Sequence, residues 1–133
     1  MSLNDTIAST IVSLETRALQ RWCAGDPGGF LEISDADVVY FDPFLARRID
    51  GLEALTAYYE AIRGKVSAPR FELLNPLVQA IGDAAVLTFN FVSYDDNEND
   101  CRWNCTEVYR NNPAGWRIVQ THWSFTQAAG DAG

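Results

Sequence analysis

Residues 71–127 read FELLNPLVQAIGDAAVLTFNFVSYDDNENDCRWNCTEVYRNNPAGWRIVQTHWSFTQ, and this stretch decides the fold. Its β-branched and aromatic runs are interrupted by turn residues at Gly82-Asp83, at Asp95 to Asp100 and at Asn111 to Gly115. Such punctuation is the mark of an antiparallel meander. Strands are predicted at Phe71–Ala80, Ala84–Tyr94, Cys101–Asn111 and Trp116–Gln127. Pro76 has no amide to give to a ladder, so its strand is expected at an edge or with a bulge.

Upstream, the period changes from two to 3.6. Ile7, Ile11, Leu14, Ala18 and Trp22 form an apolar stripe that Ala8, Val12 and Leu19 widen, predicting a helix with one buried face. Asn4 or Asp5 is expected to cap its start and Gly25 to end it. Asp26-Pro27 opens a short second helix, to about Ile33. Asp37 to Asp42 (DVVYFD) predicts a strand with Val38, Tyr40 and Asp42 on one face and Val39 and Phe41 on the other. Asp50 and Glu53 have capping-box spacing, opening a third helix with the apolar face Leu52, Leu55, Tyr59 and Ile62, closed by Gly64. Three helices before a long meander predict an α+β domain: a cone-shaped, strongly curved, mostly antiparallel sheet wrapped around the helices. The chain is expected to form one domain over residues 1–127, with a frayed tail at 128–133.

Composition narrows the chemistry. Of 133 residues, 47% are hydrophobic, and ten basic against eighteen acidic side chains give a net charge of −8. That balance disfavours nucleic acid and anionic membrane as partners. No apolar run approaches the length of a membrane span and no signal peptide is evident, so the expected location is cytoplasmic. The three cysteines lack zinc-site spacing, and Cys101 and Cys105 lie about 13 Å apart along a strand, too far to bridge. Asp95, Asn97 and Asn99 start like a calcium loop, but Asp100 stands where glycine is needed and Thr106 where a bidentate glutamate is needed. Neither a metal nor a cofactor is expected. With His122 the sole histidine, acid–base work falls to carboxylates and tyrosines.

The element order and several short strings resemble the nuclear transport factor 2-like superfamily of cone-shaped domains. The strings are Gly25-Asp26, Asp42-Pro43, Gly51 before the third helix, and Gly115-Trp116-Arg117-Ile118-Val119. Leu74-Asn75-Pro76, Thr106-Glu107-Val108-Tyr109 and His122-Trp123-Ser124 are similar to landmarks of the calcium/calmodulin-dependent protein kinase II association domain and its bacterial relatives. The resemblance sets which strand faces point into the cone. It places Tyr40 and Asp42 inward from the first strand, Thr88, Asn90 and Val92 from the next long one, and Trp103, Cys105 and Glu107 from its neighbour. Val119, Thr121 and Trp123 follow from the last strand, with Phe30 and Tyr59 closing the pocket from the helices.

The resemblance to ketosteroid isomerases, also of this superfamily, implies Asp42 as general base and Glu107 near the donor acid. In those enzymes the donor is a carboxyl that an apolar site keeps protonated, so that it can give a hydrogen bond. Tyr59 matches a supporting helix-three tyrosine, while Ala18 stands where those enzymes carry an oxyanion-hole tyrosine. Phe30, Tyr40, Asn90, Trp103 and Trp123 are the expected contacts to a small apolar or aromatic molecule. The pocket arginines of the kinase association domain are absent. The functional expectation is a small-molecule-binding domain performing carboxylate-mediated isomerisation, dehydration or cyclisation of a carbonyl compound. The alternative is a non-catalytic binding or association module. The same parity puts Leu87, Phe89, Phe91, Val108 and Ile118 outside, predicting a homodimer through the outer sheet face. Structural roles compete with these: Asp42 shaping the turn before Pro43, Glu107 pairing with a cation, the aromatics as plain core, and His122 on the outer face.

Overall fold

The computed structural model describes residues 2–126. Helix α1 (Leu3–Cys23) is followed by α2 (Gly28–Glu32), β1 (Ser34–Phe41), β2 (Ile49–Asp50), α3 (Leu52–Glu60), β3 (Arg70–Ile81), β4 (Ala84–Tyr94), β5 (Asp100–Asn112) and β6 (Gly115–Phe125). The six strands form one curved, open sheet in the order β2-β1-β6-β5-β4-β3, antiparallel except for the β1–β6 pair. The α+β cone is therefore present. The two-residue β2, which pairs with Val39 and Tyr40 of β1, is too short to leave a periodic signal in sequence. The frayed tail expected at 128–133, and Gln127 of the last predicted strand, lie outside the described residues.

Two local expectations change. Ser2 caps α1, accepting from the Asp5 amide at 3.1 Å in a reciprocal capping box, earlier in the chain than expected. Asp50 does not cap α3; its carboxylate pairs with Arg48, and Gly51 at φ 92° takes the capping position. At the other end of α1, Gly25 (φ 89°) is required twice over. Its carbonyl accepts from the Gly64 amide at 2.8 Å, and a Cβ there would meet the Gly64 backbone and the Val66 carbonyl at 3.2 Å. This close approach draws the segment after α3 against α1.

Three interruptions of register bend the sheet. One lies between Ser34 and Val39 in the β1–β6 pair, one between Leu74 and Leu77 in β3, and one between Val108 and Tyr109 opposite β6. Pro76 sits in the second of these, on the edge strand, beside Asn75 at φ 55°. Ile11, Ala18 and Leu19 of α1 fill the concave side together with Leu87, Phe89, Tyr109 and Ile118.

The parity of β4 is thereby corrected. Leu87 pairs with Glu107, Phe89 with Cys105 and Phe91 with Trp103. Directly opposed antiparallel residues share a face, so an inward Glu107 forces Leu87, Phe89 and Phe91 inward too. Thr88 and Asn90 consequently face outward. On β6 the bulge places Ile118 opposite Tyr109 and Thr121 opposite Glu107, so both point inward although three residues apart, and Val119 does not continue the inward alternation. Of the five apolar residues expected outside, only Val108 is there. The outer face carries Asn90, Asn104, Thr106, Gln120 and His122 beside Val86, Val108 and exposed Leu77, so it is far less apolar than the surface argued for a dimer.

Candidate functional site

Between the open end of the sheet and the helices lies a cavity of about 340 Å³. Trp22 and Cys23 reach it from the end of α1, Phe30 from α2, and Tyr58 and Tyr59 from α3. Residues 66–68, held against α1 by the Ala68 amide bonding to the Cys23 carbonyl at 2.9 Å, form another part of its wall. Phe91, Trp103 and Trp123 close the sheet side, with Trp123 edge-on to Phe89, Phe91 and Trp103 at centroid distances of 5.7–5.9 Å. Exposed Phe44 stacks edge-on against Trp103 and Phe125 at the rim.

Asp42 brings the one charged side chain among the described lining residues. Strand β1 aims it inward by the alternation that also buries Val38 and Tyr40. Pro43 ends the strand, and the turn that follows uses one carboxylate oxygen: Oδ1 accepts from the Phe44 amide at 2.9 Å. The other oxygen, Oδ2, accepts from the Tyr58 hydroxyl at 2.6 Å and from the Tyr40 hydroxyl at 3.0 Å. Asp42 thus shapes its turn and faces the cavity at once. Burial, followed by the hydrogen bond to Asp42, raises the Tyr58 phenol well above its ordinary value. Burial and the neighbouring Tyr59 and Asp42 do the same to Tyr40, and burial raises Tyr59. All three phenols therefore stay protonated and can act as donors. The Cys23 thiol is pushed by burial up to about 11, which leaves it unfit as a nucleophile at neutral pH.

Glu107 is inward but lies outside this cavity. It is fully buried beneath the site, accepting from the Thr121 hydroxyl at 2.9 Å. Its partner is Glu15 of α1, also fully buried, which accepts from the Tyr109 hydroxyl at 2.7 Å. The remaining oxygens, Oε2 of Glu15 and Oε1 of Glu107, have no other donor, and the two carboxyls interact directly. Burial and the adjacent Glu15 charge raise Glu107 well above the carboxylate range. The arrangement that satisfies all four oxygens is a protonated Glu107 donating to a Glu15 carboxylate.

Of the residues singled out in sequence, Phe30, Tyr40, Asp42, Tyr59, Trp103 and Trp123 converge on the cavity. Glu107 does not reach it. Asn90 is on the opposite face of the sheet, donating to Asn104 Oδ1 at 2.9 Å and accepting from Asn75 at 3.4 Å, because β4 runs in the other parity. Two residues were missed. Tyr58 lies three residues after Leu55 and four before Ile62, so it borders the same helical stripe as Tyr59. Glu15 lies four residues from both Ile11 and Leu19, at the centre of the α1 stripe; a carboxylate there was the available signal of a buried acid. Among the described residues no cluster of His, Cys, Asp or Glu could hold a metal ion. No described helix is long and apolar enough to cross a membrane.

The family model of the SnoaL-like domain matches residues 13–128. No curated protein matches the chain. Among solved structures, a candidate ketosteroid isomerase from Parabacteroides distasonis ATCC 8503 is 46% identical. The match covers 95% of this chain and 92% of that one, with a TM-score of 0.84. An NTF2-like protein of unknown function from Pseudomonas putida KT2440 is 26% identical, covering 97% and 93%, with a TM-score of 0.83. The association domain of C. elegans CaMKII, 23% identical over 91% and 97% at a TM-score of 0.74, shares the fold. On the span of that family match, together with the cone built from α1 to β6, the chain belongs to the SnoaL-like family of nuclear transport factor 2-like domains.

Proposed function

We propose that this domain binds a small organic carbonyl compound in the aromatic cavity and moves a proton on it through Asp42, in an isomerisation, dehydration or cyclisation. The observation that carries this reading is the placement of Asp42: an accessible carboxylate on the wall of an otherwise neutral cavity, anchored by Tyr58 and Tyr40. A base of this kind removes a proton next to the carbonyl, and a phenol donates to the oxygen on which charge develops. Tyr59 lines the cavity and stays protonated, so it can supply that hydrogen bond; the Tyr58 proton is already given to Asp42, and Glu107 is too deep to do so. The likeness to a candidate ketosteroid isomerase supports the same class of chemistry. The test is turnover or proton exchange on a panel of small carbonyl compounds. Asp42→Asn should lower it by about 10²–10⁴-fold; a rate unchanged by that substitution would remove Asp42 from the chemistry, and no turnover on any compound would leave a binding or association module.

Self-association through the outer sheet face is part of the proposal, supported now by the likeness to association domains rather than by an apolar surface. Asn90, Asn104 and Ser124 form a hydrogen-bonded row there, giving a polar interface. Sedimentation at micromolar concentration should give a species of twice 14.8 kDa; a monomer contradicts it. The working compartment in this reading is the cytoplasm, where the three free cysteines stay reduced.

A further inference from the structure

We infer that the cavity selects a small organic cation, an ammonium or amidinium group on an apolar body, with Asp42 as its counter-ion and the surrounding rings as its lining. The inference rests on the reading that this cavity is the working site, and it specifies what enters. In that reading the substrate is a carbonyl compound that also carries an amine or amidine.

Asp42 brings an unbalanced charge to the cavity wall. Asp42 makes no ion pair with any described residue, and no arginine, lysine or histidine lines the cavity among the described residues. Residues 127–133, QAAGDAG, contain no basic side chain that could supply one. Its three donors are two phenols and one amide, all neutral. A carboxylate offers about four lone-pair positions, so one remains, on Oδ1, to take the substrate's proton, and the charge attracts a cationic group without needing that position. A half-buried anion in an apolar cavity, with neutral donors alone, is incompletely compensated, and a cation completes it.

The walls favour the same choice. Tyr40, Tyr58, Trp103 and Trp123 all line the cavity, Tyr40 tilted 53° to Tyr58 and Trp103 set 82° to Trp123. Ring faces carry the negative side of the aromatic quadrupole, so an aromatic lining attracts an organic cation in a way an aliphatic one cannot. An anion would meet the carboxylate and the rings with no cationic side chain from the described lining to hold it. The overall charge of −8 draws cations toward the molecule and repels anions.

The experiment titrates the wild-type protein with four probes of one shape: benzyltrimethylammonium, benzylammonium, benzyl alcohol and benzoate, followed by calorimetry and tryptophan fluorescence. The expected result is that both cations bind about tenfold or more tightly than benzyl alcohol, with benzoate weakest. Asp42→Asn should bring the cations down to the level of benzyl alcohol. Because the wild-type ranking needs no variant, the inference remains testable if Asp42→Asn folds poorly. Benzyl alcohol or benzoate binding as tightly as the cations overturns the cation selection and leaves the cavity a ligand site. Binding of none of the four overturns the inference, and the carbonyl proton-exchange assay then judges the proposed chemistry on its own.

Discussion

Two acidic centres occupy the concave side of this sheet, and they are built on opposite terms. Asp42 stands at a strand end on the wall of a cavity, accepting from Tyr58, Tyr40 and the Phe44 amide, with one acceptor position unused. Glu107 sits with Glu15 in the packed core between α1, β5 and β6, each fully buried and anchored by one hydroxyl. Burial makes Glu107 hold its proton strongly, yet it does not line the cavity. A perturbed acid is therefore not by itself a reagent; access decides which of two carboxyls can do chemistry and which holds the fold.

That division of labour requires substitutions at the two centres to have opposite consequences. Asp42→Asn should lower turnover by about 10²–10⁴-fold, with chemical denaturation showing little loss of stability. Glu15→Ala should do the reverse. It strands the Tyr109 hydroxyl and Glu107 and opens a void beside Ile11 and Leu19, so urea unfolding should report a loss of about 2–5 kcal/mol.

The next effect depends on pH. Glu107 holds its proton well above the usual range when folded, while unfolded glutamate titrates near about 4.3. Between those values the folded state binds more protons than the unfolded one. Stability from this pair is therefore full at acid pH and declines as pH rises, by up to about 1.4 kcal/mol per pH unit for one proton. Glu107→Gln keeps an amide that can accept from Thr121 and donate to Glu15, so unfolding measured from about pH 6 to about pH 9 should lose that slope. An unchanged slope in Glu107→Gln would assign the pH dependence elsewhere. The smallest effect belongs to Tyr58→Phe, which removes one of three donors from Asp42. It should slow turnover by about tenfold or less in a steady-state assay, because the carboxylate keeps two of its three anchoring donors.

Much of the fold was legible because long periodic segments carry it. The stripe on α1, the alternation of Val38, Tyr40 and Asp42, and the turn residues between β3 and β6 each specify an element without tertiary information. Pro76 even announced the bulged edge. The cavity lining was legible in part: alternation puts Tyr40 and Asp42 on one face of β1 and the helical stripe of α3 includes Tyr59, while the resemblance chose which strand face is inward. It failed at β4, whose two faces are both partly apolar, so that the register with β5 rather than periodicity chooses which faces inward. It failed again at Val119, because a bulge changes parity within one strand. Glu15 was overlooked because an acid on an apolar stripe has meaning only with Glu107 and Tyr109 beside it, and those come from residues about ninety positions away.

The most direct measurement follows deuterium incorporation next to the carbonyl of small amino-ketones in heavy water, comparing wild type, Asp42→Asn and Glu107→Gln by nuclear magnetic resonance. The account predicts enzyme-dependent exchange in wild type and in Glu107→Gln, and none above background in Asp42→Asn. Exchange that survives loss of the Asp42 carboxylate, or that disappears with Glu107→Gln in a folded protein, would contradict the assignment of the chemistry to the open carboxylate.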